Sequence, residues 1–508
     1  MFNTTSLLLD PEDSPLETKQ SVIDTVLHEI AHMWFGNLVT MKYWDGLWLK
    51  EGFATLMSWS ASDRLYPNWH LWDNYVSKEL QSALESDSLI GSHPVEVVLQ
   101  NDSEARQIYD GISYDKGCCI LRMVSKELGW ENFLSGVKLY IDRHQYGNTE
   151  SEDLWTALED ATGVPIKSKM DSWTKTPGFP IVRVTEVLHE ETGELTAVEL
   201  NQERFLGSGV ETSETSPQIW PLNIGIRFEE GVEMFEMRQP ELVVHTGGKS
   251  LLKVNADHDG FFRTLYSPAL LQKLIQAATE GRLTRRDIIG LSCDFRALVC
   301  AGFAQSSILL ELSLGLKPLT QFLEWDMIDR NLRLIHSTFK FSDSLLRDAI
   351  NRLSVSVFGS TAYELGWSIS EEDDEFQVAL KSSIFGSTGF AGDTRCICNL
   401  QYSPEIEIRA DTIIRVIEAA REMFSKRISG DQDAIHSSFR LEVFGIVAKH
   451  GGKRDLEALL NIWNTSASED ERHMALRCLG RASNAELVRW VLSLAFTKTV
   501  EDKDVSGI

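Results

Sequence analysis

The pentapeptide His28-Glu29-Ile30-Ala31-His32, followed after eighteen intervening residues by Glu51, constrains this chain more than any other stretch. Two histidines four apart can serve one centre on an α-helix, where positions i and i+4 lie one turn apart on the same face. Glu29 falls roughly 100° round that helix from His28, so it projects beside the centre rather than onto it. Two imidazoles and one carboxylate leave the fourth tetrahedral position open for water, the pattern of catalytic rather than structural zinc. The expected metal ligands are therefore His28, His32 and Glu51, holding one zinc ion per chain. The alternative is a helix with two satisfied histidines and a surface glutamate, and the setting argues against it. Ser21-Val22-Ile23-Asp24 reads as a capping-box-like helix start, which places the motif in the helix interior. Val22, Ile23, Val26, Leu27, Ile30 and Met33 to Phe35 make that helix apolar nearly all round, predicting a buried core helix. A buried histidine pair beside an ionised glutamate needs a partner, and a metal supplies one. Asp24 and Asp45 are candidates to orient the imidazoles, but each is expected to cap a helix instead.

The stretch that begins at His28, HEIAHMWFGNLVTMKYWDGLWLKEGFA, resembles the gluzincin aminopeptidases of the aminopeptidase N type, including puromycin-sensitive and cytosolic relatives. Leu7 to Ser14, Ser92-His93-Pro94-Val95, Ile112 to Gly117 and Val254 to Tyr266 are similar to further stretches of that family. The resemblance implies a zinc aminopeptidase that removes N-terminal residues from peptides. Zinc lowers the pKa of water to about 7, and Glu29 is placed to act as general base and then general acid. The resemblance also nominates Tyr114, in Ile112-Ser113-Tyr114-Asp115-Lys116-Gly117, as donor to the developing oxyanion, a role worth roughly 3 kcal/mol.

Two departures from the family pattern stand out. Relatives carry Gly-Ala-Met-Glu-Asn on an edge strand upstream of the zinc helix, where the glutamate grips the substrate's free amine. This sequence has no such motif and starts at Met1-Phe2-Asn3, so an N-terminally truncated catalytic domain is expected. Lys50 stands where relatives commonly have asparagine, and solvent is one place for its side chain. Two classes of function follow. One is a working aminopeptidase; the other is a truncated, weak or inactive relative that acts as a binding protein. An epoxide hydrolase of the leukotriene-hydrolase branch is disfavoured by the β-rich segment, which that branch lacks.

The fold class expected is mostly α with a small β-domain. A thermolysin-like helical catalytic domain, incomplete, spans 1–178, ending at the breaker Pro177-Gly178-Phe179-Pro180. Short β-branched runs between turn signals at 179–267 predict a β-sandwich. Successive amphipathic helices at 268–508, with no strict repeat, resemble a HEAT-like α-solenoid. Net charge of −26 disfavours nucleic acid and anionic membranes as partners and suits peptides with a free N-terminus. Glu371 to Glu375 reads as a solvated run. No stretch approaches membrane-spanning length, and no signal peptide is evident, so the expected location is cytoplasmic. Of seven cysteines, Cys118 and Cys119 are adjacent, Cys396 and Cys398 lack zinc-knuckle spacing, and Cys293, Cys300 and Cys478 read as core. Reduced thiols fit this pattern. Oligomeric state is not legible.

Overall fold

A computed structural model of the chain describes residues 6–10, 14–99, 101–209, 218–391, 404–494 and 496. Cys396, Cys398, the Asn3 region and the C-terminal 497–508 lie outside the described residues. As the sequence predicts, the chain is mostly helical with small sheets. It divides into two compact units, one of Ile23–Pro318 and one of Met1–Val22 with Leu319–Ile508.

Helix α1 (Leu16–Ala31) starts behind Pro15, not at Ser21, so the capping-box expectation is corrected. Proline fixes φ for a first turn and lacks the N–H that such a turn would leave unpaired. Asp24 is consequently mid-helix, and its Oδ1 accepts from Ser58 Oγ at 2.6 Å. Nor is α1 a buried core helix: Val26, Ile30, Met33 and Trp34 are exposed among the described residues. The buried helix is α2 (Leu47–Leu65), where Trp48, Phe53, Ala54 and Leu56 have no exposed surface. Asp45 does not cap it; Gly46 is the N-cap, and Asp45 lies in the short turn Trp44–Gly46 before it. Between α1 and α2 the chain folds back through Gly36 (φ +120°), and a two-residue parallel pair forms between β1 (Thr40–Met41) and β2 (Asn148–Thr149).

The helical part continues with α3 (Leu71–Ser77), α4 (Glu79–Asp87), α5 (Gly117–Leu128), α6 (Trp130–His144), α7 (Ser151–Thr162) and α8 (Lys167–Thr174), of which α3 and α5 pack on α2. Phe53 stacks on Phe35 at 4.3 Å between ring centroids and approaches Phe133 and Tyr140 at 6.3 and 6.5 Å. Trp48 stacks on Trp155 and donates to Ser151 Oγ at 3.1 Å, which satisfies a buried indole N–H. The crossing of α2 with α5 is closest at Gly52 and Gly117. A Cβ built on Gly52 would lie 2.8 Å from the Gly117 carbonyl carbon, so no side chain fits there.

Strands β3 (Pro180–Leu188), β4 (Leu195–Arg204), β7 (Glu241–His245) and β9 (Arg263–Tyr266) form a sheet in the order β7-β4-β3-β9, with β3 and β9 parallel. Strands β5 (Leu222–Phe228), β6 (Gly231–Met237) and β8 (Leu251–Val254) form the second, in the order β6-β5-β8. Along β5, Leu222, Ile224, Ile226 and Phe228 are buried while the residues between are half-buried, the period-2 pattern of a strand over a core. Helices α9 (Pro268–Thr279), α10 (Arg285–Cys300) and α11 (Ser307–Gly315) complete this unit.

A buried polar knot joins β8, β9 and α10. Lys253, fully buried, donates to the carbonyls of Val254 and Asn255 and reaches His258 Nδ1 at 3.0 Å. Since an ammonium only donates, Nδ1 accepts, and His258 Nε2 donates to Asp294 Oδ2 at 3.2 Å. Asp294 also accepts from Arg263 Nη1 and from the backbone and hydroxyl of Thr264. Burial alone would raise the Asp294 carboxyl, but His258 and Arg263 outweigh it and hold it at about 2. Arg263 Nη1 extends the knot to Gln81 on α4 at 2.9 Å. The turn that delivers His258 has Asn255, Asp257 and His258 all at φ between 52° and 60°, a left-handed run such residues tolerate better than most.

The other unit carries α12 (Phe322–Thr338), α13 (Ser344–Leu365), α14 (Glu375–Ala391), α15 (Pro404–Ile428), α16 (Ser437–His450), α17 (Lys453–Thr465), α18 (Glu469–Leu479) and α19 (Ala485–Leu494). Their core includes Phe385, Ile413, Val416, Phe424, Phe439, Phe444, Leu456 and Leu479. Arg427 grips buried Glu471 with both nitrogens of its fork, at 2.8 to 3.0 Å. Among the described residues no helix is long and apolar enough to cross a membrane. Cys118, Cys119, Cys293, Cys300 and Cys478 are free thiols; Cys300 is exposed rather than packed in a core, because it ends α10.

Candidate metal centre

The last turn of α1 presents His28 and His32 to one point. Backbone bonding continues past Ala31, with His32 N donating to His28 O at 3.2 Å, so the i, i+4 relation holds to the second histidine. The two rings meet edge-on with centroids 4.7 Å apart. Glu51, in the first turns of α2, brings Oε2 to 3.3 Å from His28 Nε2 and 3.2 Å from His32 Nε2. Donors about 2.0–2.2 Å from a tetrahedral zinc stand roughly 3.4 Å from one another. The three donors therefore fit that ion in type and in spacing. Glu29 also lies with both imidazoles in a group whose ligand atoms are within 4.8 Å of one another. Proximity alone thus nominates two carboxylates; the shorter contacts to both Nε2 atoms favour Glu51 as ligand and leave Glu29 beside it.

The imidazoles are held from behind. His32 Nδ1 is 3.0 Å from the Phe35 carbonyl, and His28 Nδ1 is 3.5 Å from Thr55 Oγ1. A carbonyl can only accept, so His32 donates from Nδ1 and leaves Nε2 free to bind. Thr55 and the Phe35 carbonyl, rather than Asp24 or Asp45, therefore stand behind the imidazole rings. Thr55 was within reach of sequence reasoning, since it is four residues after Glu51 on one face of one helix.

Lys50 does not point away. Its Nζ sits 3.0 Å from Glu51 Oε1 and 5.9 Å from the centre of the Tyr109 ring. Burial would raise the Glu51 carboxyl, but hydrogen bonds from His28, His32 and Lys50 outweigh that and hold it well below the usual range. Burial would lower His32, yet its bonds to Glu51 and to the Phe35 carbonyl raise it. Tyr114 lies parallel to His28 at 5.9 Å; burial first, and the negative Glu51 second, push its phenol well up. It stays a donor throughout the physiological range.

A cavity of about 510 Å³ gathers all five predicted residues, His28, Glu29, His32, Glu51 and Tyr114. Asp24, Thr25, Lys50, Thr55, Glu79, Tyr109 and Asp115 line it as well. Burial pushes the carboxyls of Glu79 and Asp115 up, Glu79 further. Ser82 Oγ donates to Asp115, at 2.5 Å. The acid-rich wall was not foreseen, because its members are spread from position 24 to 115.

Residues 1–173 match the peptidase family M1 domain, and residues 251–508 match the ERAP1-like C-terminal domain. The chain belongs to the M1 aminopeptidase family. Among relatives, aminopeptidase 2 of Candida albicans is 37% identical over 508 residues, covering 99% of this chain and 52% of the relative. The alanine/arginine aminopeptidase of Saccharomyces cerevisiae is 35% identical over 504 residues, covering 99% and 56%. The puromycin-sensitive aminopeptidase of Caenorhabditis elegans is 28% identical over 503 residues, covering 98% and 50%. The chain spans about half the length of these curated relatives.

Proposed function

We propose that this chain is a zinc-dependent aminopeptidase that hydrolyses N-terminal residues from peptides. The observation that carries the reading is the Glu51 carboxylate oxygen at 3.2–3.3 Å from both imidazole Nε2 atoms, with Glu29 beside them and Tyr114 facing. His28, His32 and Glu51 would hold one zinc ion, which when bound polarises a peptide carbonyl and acidifies water.

The chain's own groups do the rest. Glu29 takes a proton from the attacking water and returns it to the leaving amine, general base then general acid. Tyr114 donates its phenolic hydrogen to the carbonyl oxygen as that oxygen gains charge, an interaction strongest in the transition state. Glu51, whose Oε1 faces Lys50, keeps a fixed orientation through both steps. The acidic wall of Asp24 and Asp115 favours a cationic substrate terminus entering the cavity.

The test is turnover of a panel of aminoacyl-coumarin substrates by the zinc-loaded chain beside Glu29→Gln, with zinc content measured in each. Turnover lost in Glu29→Gln with zinc retained supports the assignment, and His28→Ala should lose both. Retained hydrolysis in Glu29→Gln would sink the general-base role. A folded, zinc-bound chain without turnover would favour the second reading, a relative that binds rather than cleaves.

A further inference from the structure

Tyr114 sits in a turn of unusual form. Ile112–Lys116 is π-helical, with Asp115 N and Lys116 N both donating to the Gly111 carbonyl at 3.0 Å. Such turns are rare and occur mostly as single insertions near functional sites. Tyr114 N also donates to the Asp110 carbonyl at 3.1 Å and Gly117 N to that of Ile112, and to these internal bonds the surroundings add side-chain grips. Both ends are gripped, and by the same loop.

At the front, Asp110 Oδ1 accepts from Ile112 N at 2.9 Å and from Ser113 N at 3.3 Å. Its other oxygen lies 2.8 Å from His93 Nε2, while His93 Nδ1 lies 2.8 Å from the Pro94 carbonyl. Both ring nitrogens face atoms that can only accept, so the ring satisfies both contacts only as an imidazolium. At the back, Lys116 Nζ pairs with Asp87 Oδ2 at 2.8 Å, both side chains without exposed surface. Asp87 Oδ1 accepts from Ser92 Oγ at 2.7 Å and from Gly178 N at 2.8 Å. Asp87 ends α4, and Ser92 and His93 follow it within one short loop.

We propose that this loop, from Asp87 to Val95, is the clamp that positions Tyr114, acting through Asp110 at one end of the π-turn and through Lys116 at the other. Ser92-His93-Pro94-Val95 stands out in the sequence but touches none of the metal-binding donors; its work is at one remove. His93 and Asp87 are positioning residues. The hydrogen bond to Asp110 raises the His93 pKa, in keeping with the contact geometry. Releasing either grip lets the turn relax towards ordinary α-helical bonding, which rotates the Tyr114 ring away from His28 and Glu51. The inference rests on Tyr114 being the oxyanion donor, and the experiment separates the two ideas.

His93→Ala is compared with Tyr114→Phe and with the double variant, all zinc-loaded and full-length. His93 is partly exposed, so the fold should survive its loss; Asp110→Asn serves as the second variant, with the same expectation. His93→Ala should lower kcat about 10- to 100-fold with KM within about twofold, as a misplaced catalytic group does. In the Tyr114→Phe background the same change should cost nothing further, because the group it positions is already gone. An equal loss in both backgrounds overturns the clamp. A reading independent of turnover comes from tyrosine labelled with carbon-13 at Cζ, where the Tyr114 resonance is the one absent from Tyr114→Phe. That resonance should move in His93→Ala, and one that stays put overturns the clamp. A wild type without peptidase activity, but with a resonance that moves, would remove the proposed function and leave the clamp standing.

Discussion

The crossing of α2 and α5 offers a test in which the magnitude follows from distances. Gly52→Ala places a Cβ 2.8 Å from the Gly117 carbonyl carbon, 3.1 Å from Gly117 Cα and 3.1 Å from Cys118 N. Ordinary carbon contacts lie at about 3.5–4.0 Å, so the shortfall is roughly 0.7 Å or more. All three obstacles are main chain of a buried helix and cannot swing aside as a flexible side chain would. Alanine in a helix interior gains about 1 kcal/mol over glycine. Overpacking of this kind costs about 1–3 kcal/mol, and rigid neighbours put it at the upper end. A net loss of about 1–2 kcal/mol is expected. The functional effect should be larger than the stability effect, because Glu51 precedes Gly52 and the Tyr114 turn ends at Gly117. Parting the helices parts the Glu51 carboxylate from the phenol that lines the same cavity. Denaturant unfolding reads the first effect, and zinc affinity in competition with a chelator, with kcat, reads the second. Gly452→Ala is the control, since nothing lies within 4 Å of its built Cβ and its φ is −110°. A Gly52→Ala chain as stable as wild type, with unchanged zinc affinity and turnover, would refute the argument.

Tyr114→Phe should lower kcat about 100-fold, with KM little changed, if its phenol stabilises the oxyanion by roughly 3 kcal/mol; an unchanged kcat removes the residue from the mechanism. Asp294→Asn puts an amide N–H₂ among donors from His258, Arg263 and Thr264, and should destabilise by about 3–5 kcal/mol in denaturant unfolding; a loss under about 1 kcal/mol would show that the knot relaxes freely. Burial, with Lys449 and Arg333 close by, holds His336 down to about 4 from an ordinary 6.5. The unfolded chain therefore takes up this proton first, so stability is full above pH 6.5 and is lost as pH falls towards 4. At about pH 5 the loss should be on the order of 1–2 kcal/mol, and His336→Asn should remove it; an identical pH profile in the variant counts against it.

Legibility followed sequence distance. That His28 and His32 meet was readable because a helix makes i and i+4 neighbours, and that Glu51 lies against them because a carboxylate at that spacing commonly accompanies such a pair. Tyr114 was readable only through resemblance, since nothing local says which way a tyrosine in a π-turn points. The helix start was misread at Ser21 because its cap-like pattern competes with Pro15, which sets the first turn by geometry rather than by hydrogen bonding. Burial was assigned to α1 when α2 is the enclosed helix; apolar content says what can be buried, and packing decides what is. Lys50 looked solventward because a cation gains from water, yet an acidic neighbour with a free oxygen drew it inward. The grips of Asp87 on Lys116 and of His258 and Arg263 on α10 join residues tens of positions apart, and no local pattern carries that information.

The knot around Asp294 bears on how such a chain can be taken apart. Text along the chain invites cuts after 178 and 267, where helices give way to strands and strands to helices. Yet Arg263 binds a glutamine from before the first cut and an aspartate from after the second. A piece ending at 267 would keep the Arg263 cation and the His258 ring but lose the Asp294 carboxylate to which both donate. Trimming at either change of secondary structure therefore breaks a charged hydrogen-bond network that reaches across both.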